Sequence, residues 1–219
     1  NDEDGSDVYS GMTPQINAKV IENDNNAYVA YSDLRDWAQY DIAVQKFNSD
    51  GNPLWGTDGI LINLENDDFL EDIVPLDNGG CVVFWTGGSI LNDESLNIYY
   101  KAFDANGDTP TGWSDEPEVL TNAIGIQNNA KAVSYNNGEQ GIFVTWNDYQ
   151  NGNSDIFVQF ISENGLVQGQ PNGLPLAILG TDEYHQVLSW NAAEEEILVV
   201  WEYDNGSDFD IKGSIIDVN

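Results

Sequence analysis

Apolar and polar residues alternate in short runs along the whole chain, as in YVAYSD (28 to 33), IAVQKF (42 to 47), FVTW (143 to 146) and IFVQF (156 to 160). A period of two is the pattern of a half-buried β-strand, and the runs are bounded by Gly, Asn, Asp and Ser, the residues that turns select. No helical period separates them, so every predicted element is a strand. The longest apolar runs reach four to six residues, too short to cross a bilayer as a helix.

The pattern also repeats at long range. Four copies of one segment follow each other: YVAYSDLRDWAQYDIAVQKFNSDG (28 to 51), VVFWTGGSILNDESLNIYYKAFDANG (82 to 107), FVTWNDYQNGNSDIFVQFISENG (143 to 165) and LVVWEYDNGSDFDIKGSIID (198 to 217). Their aligned aromatics are Tyr31, Trp85, Trp146 and Trp201, spaced 54, 61 and 55 residues apart. Their aligned polar residues before an isoleucine are Asp41, Asn97, Asp155 and Asp210. The aromatic ends one strand and the polar residue opens the next. A further strand precedes each pair (14 to 20, 71 to 76, 128 to 135, 185 to 190), and another follows the first three copies (54 to 62, 112 to 120, 172 to 179) after the turns Asp50-Gly51, Asn106-Gly107 and Asn164-Gly165. Antiparallel four-stranded units repeated at such a period predict an all-β protein, a β-propeller with four blades in a single domain spanning 1 to 219. The blades are expected near 14 to 64, 69 to 121, 127 to 179 and 184 to 219.

The fourth copy lacks its last strand. Residues 7 to 17, DVYSGMTPQIN, align with 118 to 128, EVLTNAIGIQN, which predicts that an N-terminal strand at 7 to 11, with Val8, Tyr9 and Ser10, completes the last blade and removes its open edge. The alternative is a run of blades from a longer propeller.

The repeated residues read first as scaffold. The aromatics are large flat groups suited to packing between blades. Asp41, Asn97, Asp155 and Asp210 are expected to accept N–H bonds from the preceding turn, a role that needs an oxygen and not a charge. The turns differ in length and content, and variable loops on a constant frame are where binding resides. They carry Asp33, Asp36, Trp37, Tyr40, Asp93, Glu94, Asp148, Tyr149, Asp204 and Asp208. Paired acids of this kind suit a hard cation, calcium being the cofactor expected if any, although no DxDxDG loop occurs. Trp37, Tyr40, Trp113, Tyr149 and Tyr203 are rings of the kind that stack on sugars.

Charge narrows the partners. The 38 acids and six bases leave a formal charge of -32, which repels nucleic acid and anionic lipid and suits cations, basic proteins or neutral glycans. The chain starts at Asn1 without a signal peptide, as a mature or excised piece would, and its acid and asparagine content fits an extracellular or cell-surface setting. Cys81, in the apolar run CVVFW, reads as a core residue, and the lone histidine, His185, as a channel or core residue. No GxSxG, P-loop, HExxH or CxxC pattern occurs, and so many carboxylates mean that a glycosidase pair cannot be singled out. Asn205-Gly206-Ser207 forms an N-glycosylation sequon.

In its first copy the chain has Asp33 and Arg35, then Asp41-Ile42, Gln45, Asp50-Gly51 and Trp55-Gly56; in its third it has Trp146, Asp148, Gly152, Asp155-Ile156, Gln159 and Gly165. These residues resemble the WxDxRxGxxDIYxQ repeats of secreted and cell-surface bacterial proteins, including type IX secretion cargo of Bacteroidetes. Copies two and four depart from the pattern. The resemblance implies a propeller-like frame outside the cell and no particular activity. The expectation is therefore a non-catalytic binding or assembly module for a protein or glycan, without catalytic residues. The alternatives are a polysaccharide-active enzyme with carboxylates at the channel mouth and a structural subunit that assembles with copies of itself.

Overall fold

The computed structural model describes residues 7–9, 11–63, 65–88 and 96–218. Asp93 and Glu94 among the loop candidates, and Ser10 of the expected closing strand, lie outside them.

The described residues form four antiparallel sheets and no helix. The first contains β1 (Gln15–Asn23), β2 (Asn26–Asp33), β3 (Asp41–Phe47) and β4 (Ile60–Ile62), in that order. The second contains β5 (Asp68–Pro75), β6 (Cys81–Gly87), β7 (Asn97–Phe103) and β8 (Glu118–Thr121). The third has five strands: β9 (Gln127–Asn136), β10 (Gln140–Asp148), β11 (Asp155–Ser162), β12 (Val167–Gln168) and β13 (Leu174–Ala177), the last two pairing with different parts of β11. The fourth has three: β14 (Glu183–Asn191), β15 (Glu196–Asp204) and β16 (Phe209–Asp217). Successive sheets adjoin along their first strands, β1 beside β5, β5 beside β9 and β9 beside β14. This is the all-β, propeller-type arrangement that the repeat predicts.

The frame follows from the alternating pattern. One face of each sheet packs against the next, so the core forms three layers. Tyr28, Ala30, Ile42 and Val44 of the first sheet meet Leu70, Ile73, Val83 and Trp85 of the second. Phe84, Ile98 and Tyr100 meet Ile142, Val144 and Trp146 of the third. Phe143, Ile156 and Val158 meet Ile197, Val199 and Trp201 of the fourth. The repeated aromatics Tyr31, Trp85, Trp146 and Trp201 are all buried, as is Cys81.

Two details differ from expectation. The fourth strand of a sheet is shorter than its apolar run: β4 covers only 60–62, because Trp55 leaves the sheet to pack against Tyr28 and Phe103. Gln45 holds that detour, donating to Gly56 O (2.9 Å) and accepting the Trp55 N–H (3.1 Å), and Gln159 does the same for the third sheet by donating to Gln170 O (2.8 Å). The repeated glutamine is thus a clip for the irregular connection. The expected closing strand is not formed by the described residues. Val8 and Tyr9 lie against Gln15, Ala18, Val29 and Tyr31 of the first sheet, with the Arg35 guanidinium 4.5 Å from the Tyr9 ring centre. The cation over the ring and the apolar wall of β2 hold the segment there, and β16 pairs only with β15.

Candidate functional site

Every innermost strand carries a β-bulge at the same level. The register slips between Ile16 and Lys19 in β1, Leu70 and Asp72 in β5, Asn128 and Lys131 in β9, and Tyr184 and Val187 in β14. In each case the extra residue lies beside the repeated aromatic, Tyr31, Trp85, Trp146 or Trp201, on the neighbouring strand. Asn17, Asn129 and His185 take a left-handed conformation there (φ 56, 55 and 52°), which asparagine tolerates better than most residues. A bulge re-aims the side chains that follow it. The residues that resume the pairing are Lys19, Asp72, Lys131 and Val187, so three adjoining sheets present base, acid and base at one level.

Glu71 stands between them. Its structural equivalents in the flanking sheets are Ala18 and Ala130, whose small side chains leave room. Glu71 Oε1 accepts both the Thr86 hydroxyl (2.8 Å) and the Asn129 N–H (2.9 Å). Burial pushes its carboxyl above the usual range, opposed by those two bonds and by Lys131 and Lys19. Asp72 is raised by burial as well, opposed by the N–H groups of Ala132 (2.9 Å) and Ile73 (3.0 Å) and by the same lysines. Burial lowers Lys131, against the pull of Glu71 and Asp72. Asn17, Ala18, Lys19, Leu70, Glu71 and Lys131 line an open pocket of about 330 Å³. Two of the six basic residues in a chain of formal charge -32 thus meet at one pocket.

A network carries this geometry onward. The Asn129 side chain donates to Asn147 Oδ1 (2.9 Å) and Gln186 Oε1 (3.2 Å), and the Gln186 amide returns a bond to Asn129 O (2.6 Å). His185, beside Gln186, is largely exposed and pairs with Glu202 at 3.0 Å; it belongs to the bulge surface and not to a core.

The loop candidates are not gathered there. Asp33 is buried and paired with Arg35 at 2.7 Å, Asp148 is buried and caps its turn by accepting the Gln150 N–H (2.9 Å), and Asp204 does likewise for Gly206 (2.7 Å). Asp36 accepts the Ala38 N–H (2.9 Å) and is exposed, as is Asp208. Turn capping therefore falls to acids at or just after the end of the second strand. The repeated Asp155 and Asp210 instead accept side-chain amides, from Asn151 and Asn153 (2.7 Å each) and from Asn205 (3.0 Å), while Asn97 is half-buried and Asp41 fully buried. Trp37 is exposed, Tyr40 packs on Phe69, Tyr149 is half-buried, and the Lys212 ammonium sits 3.8 Å from the Tyr203 ring centre. Trp113 packs on Tyr100 and donates to Glu163 O (2.9 Å). Among the described residues no three His, Cys, Asp or Glu side chains are arranged to hold a metal ion.

Glu71, Asp72, Lys19 and Lys131 were not singled out by sequence. A signal existed: the tripeptide Asn-Ala-Lys occurs at 17 to 19 and at 129 to 131 and places two of the six bases on equivalent strands.

No protein-family model matches the sequence, and no curated protein matches it. Solved structures do match the fold. An endo-arabinase from Bacteroides thetaiotaomicron superposes over 98% of this chain and 79% of its own, with TM-score 0.53 and 10% identity. An α-L-arabinanase from Penicillium chrysogenum, complexed with arabinobiose, does so over 97% and 60%, with TM-score 0.57 and 18% identity. An α-L-arabinofuranosidase from Fusarium graminearum covers 96% and 60%, with TM-score 0.58 and 12% identity. The chain spans about three fifths of the length of the Penicillium and Fusarium enzymes. These findings correct the expectation of a non-catalytic binding or assembly module. These three structures sharing the frame are arabinan-related glycosidases, and the pocket acid lies on an inner strand instead of in the variable loops.

Proposed function

We propose that the chain acts on a polysaccharide at the inner-strand pocket, with Glu71 as the proton donor to the glycosidic oxygen. The observation that carries this reading is the setting of Glu71: a carboxyl raised by burial and fixed through one oxygen, lining an open pocket. A general acid must hold its proton near working pH, and burial moves the Glu71 carboxyl in that direction. Both bonds fall on Oε1, which leaves Oε2 for proton transfer. Asp72 supplies the second carboxyl that glycoside chemistry calls for. It lies next to the pocket acid with both oxygens held by the Ala132 and Ile73 N–H groups, while Lys19 and Lys131 balance the pair. The arabinan-acting neighbours make an arabinose polymer the first substrate to test. The resemblance to secreted bacterial repeats adds to the proposal a site of action outside the cell.

The test is release of reducing ends from arabinan and a panel of other neutral polysaccharides. The wild-type chain should cleave at least one of them, and Glu71→Gln should slow that cleavage by about 10²–10⁴-fold with its β-sheet circular dichroism intact. Folded wild-type protein that cleaves no polymer, or a Glu71→Gln variant as fast as wild type, overturns the proposal.

A further inference from the structure

The three junctions between sheets are built from equivalent positions. At each one, the first residue of the new inner strand donates its N–H to the carbonyl just before the third strand of the preceding sheet: Asp68 to Tyr40 (2.7 Å), Gln127 to Leu96 (2.8 Å) and Glu183 to Ser154 (2.7 Å). The side chains at these positions are enclosed, at 2, 0 and 0% exposure. The third strand opens there with Asp41, Asn97 or Asp155. The middle junction therefore carries an amide at both positions, while the outer two carry a carboxyl at both.

In the outer junctions the acids are only partly compensated. Among the described residues, Asp68 Oδ2 and both oxygens of Glu183 are buried and have no partner in hydrogen-bond geometry. Arg35, the cation of the first junction, is taken up by Asp33. Around Asp68 stand Asp41, Asp67 and the Trp85 indole, with the Asp33–Arg35 pair beyond Asp41. Around Glu183 stand Asp155, Asp182, the Leu179 N–H and the Lys212 ammonium, with Asp148 opposite Asp155 and Tyr203 opposite Glu183. Two neighbouring buried carboxylates cannot both stay charged at low cost.

We propose that the first and third junctions are proton-dependent clasps, in which Asp68 near Asp41 and Glu183 near Asp155 each retain a proton, and that the sheets separate more readily once it leaves. The middle junction is the built-in neutral version. Burial first and Asp41 second raise Asp68 to about 8. Burial first and Asp155 second raise Glu183 to about 7, and the Leu179 N–H and Lys212 offset only part of this. The folded chain thus binds protons that the unfolded chain has already released. The stabilisation is complete below about pH 4, the ordinary carboxyl range, and is lost as pH rises through about 7 and 8. Each clasp opens the strand that leads to a bulge, β5 to Glu71 and β14 to His185, so its protonation bears on how the inner strands are held.

The experiment is thermal unfolding of the whole chain from about pH 5 to about pH 9. Wild type should lose several degrees across this range. Asp68→Asn with Glu183→Gln, which makes one member of each outer pair an amide, should remove most of that loss. Glu116→Gln, at an exposed position, should retain it and so controls for net charge. A double variant that keeps the wild-type slope overturns the proposal. Infrared spectra of the unaltered protein test the same point without a variant: a protonated-carboxyl band must persist at about pH 6, and its absence there also overturns the proposal.

Discussion

The variable loops and the inner strands of this chain hold acids in opposite ways. Asp36 and Asp208 in the loops stand in solvent, while Asp204 and Asp148 are occupied with capping their own turns. Asp68 and Glu183 on the inner strands are enclosed and Glu71 and Asp72 half-buried, and burial raises all four, as it does the buried turn cap Asp148. Exposed carboxylates add charge without strain. A buried one must be bonded, paired or protonated, and each of these outcomes ties it to its neighbours. Chemistry therefore follows the constant part of the repeat, where the next sheet supplies the other half of the environment.

Three groups of substitutions can break or sharpen this contrast. The largest effect is expected at the frame that encloses the inner strands: Trp85→Ala or Trp146→Ala should cost about 3–5 kcal/mol in denaturant unfolding, since both rings are fully buried between sheets. A loss below 1 kcal/mol, about the scale of an ordinary surface change, would mean that the sheets do not rely on these layers. Next comes the bulge. Asn129→Ala must accept a left-handed backbone and give up the side-chain bonds to Asn147 and Gln186, at about 1–3 kcal/mol. Asn129→Gly should recover the backbone part but not the bonds, and equal losses for the two would remove the conformational argument. The smallest effect belongs to the loops: Asp36→Asn and Asp208→Asn should leave the unfolding midpoint within about 2 °C of wild type. A larger shift in either would show that loop acids do structural work after all.

The frame was legible because it is written in local patterns. Alternation of apolar residues marks β2, β6, β10 and β15, and the repeated Tyr31, Trp85, Trp146 and Trp201 mark where each ends. The irregular parts were not. Residues 54 to 62 look like one strand, yet Trp55 gains more by packing on Tyr28 and Phe103 than by pairing. The closing strand was inferred from likeness between 7 to 17 and 118 to 128, but a guanidinium above Tyr9 and the wall of β2 are stronger than that likeness. The site was missed for a third reason. Glu71 becomes special only through Thr86 on the next strand, Asn129 on the next sheet and two distant lysines, and none of these is near it in sequence. Among 38 acids, burial picks out the few that matter, and burial is a property of the assembled sheets.

The bulge beside each repeated aromatic has one more implication. It offers the same backbone address on four separate strands, and the residues that resume pairing there are a lysine, an aspartate, a lysine and a valine. A socket that already accepts a cation, an anion and an apolar side chain sets few demands on its occupant. Under the proposed function, a change of substrate would begin by exchanging Lys19, Lys131 or Val187, one sheet at a time, with the aromatic left in place as the fixed point of the frame.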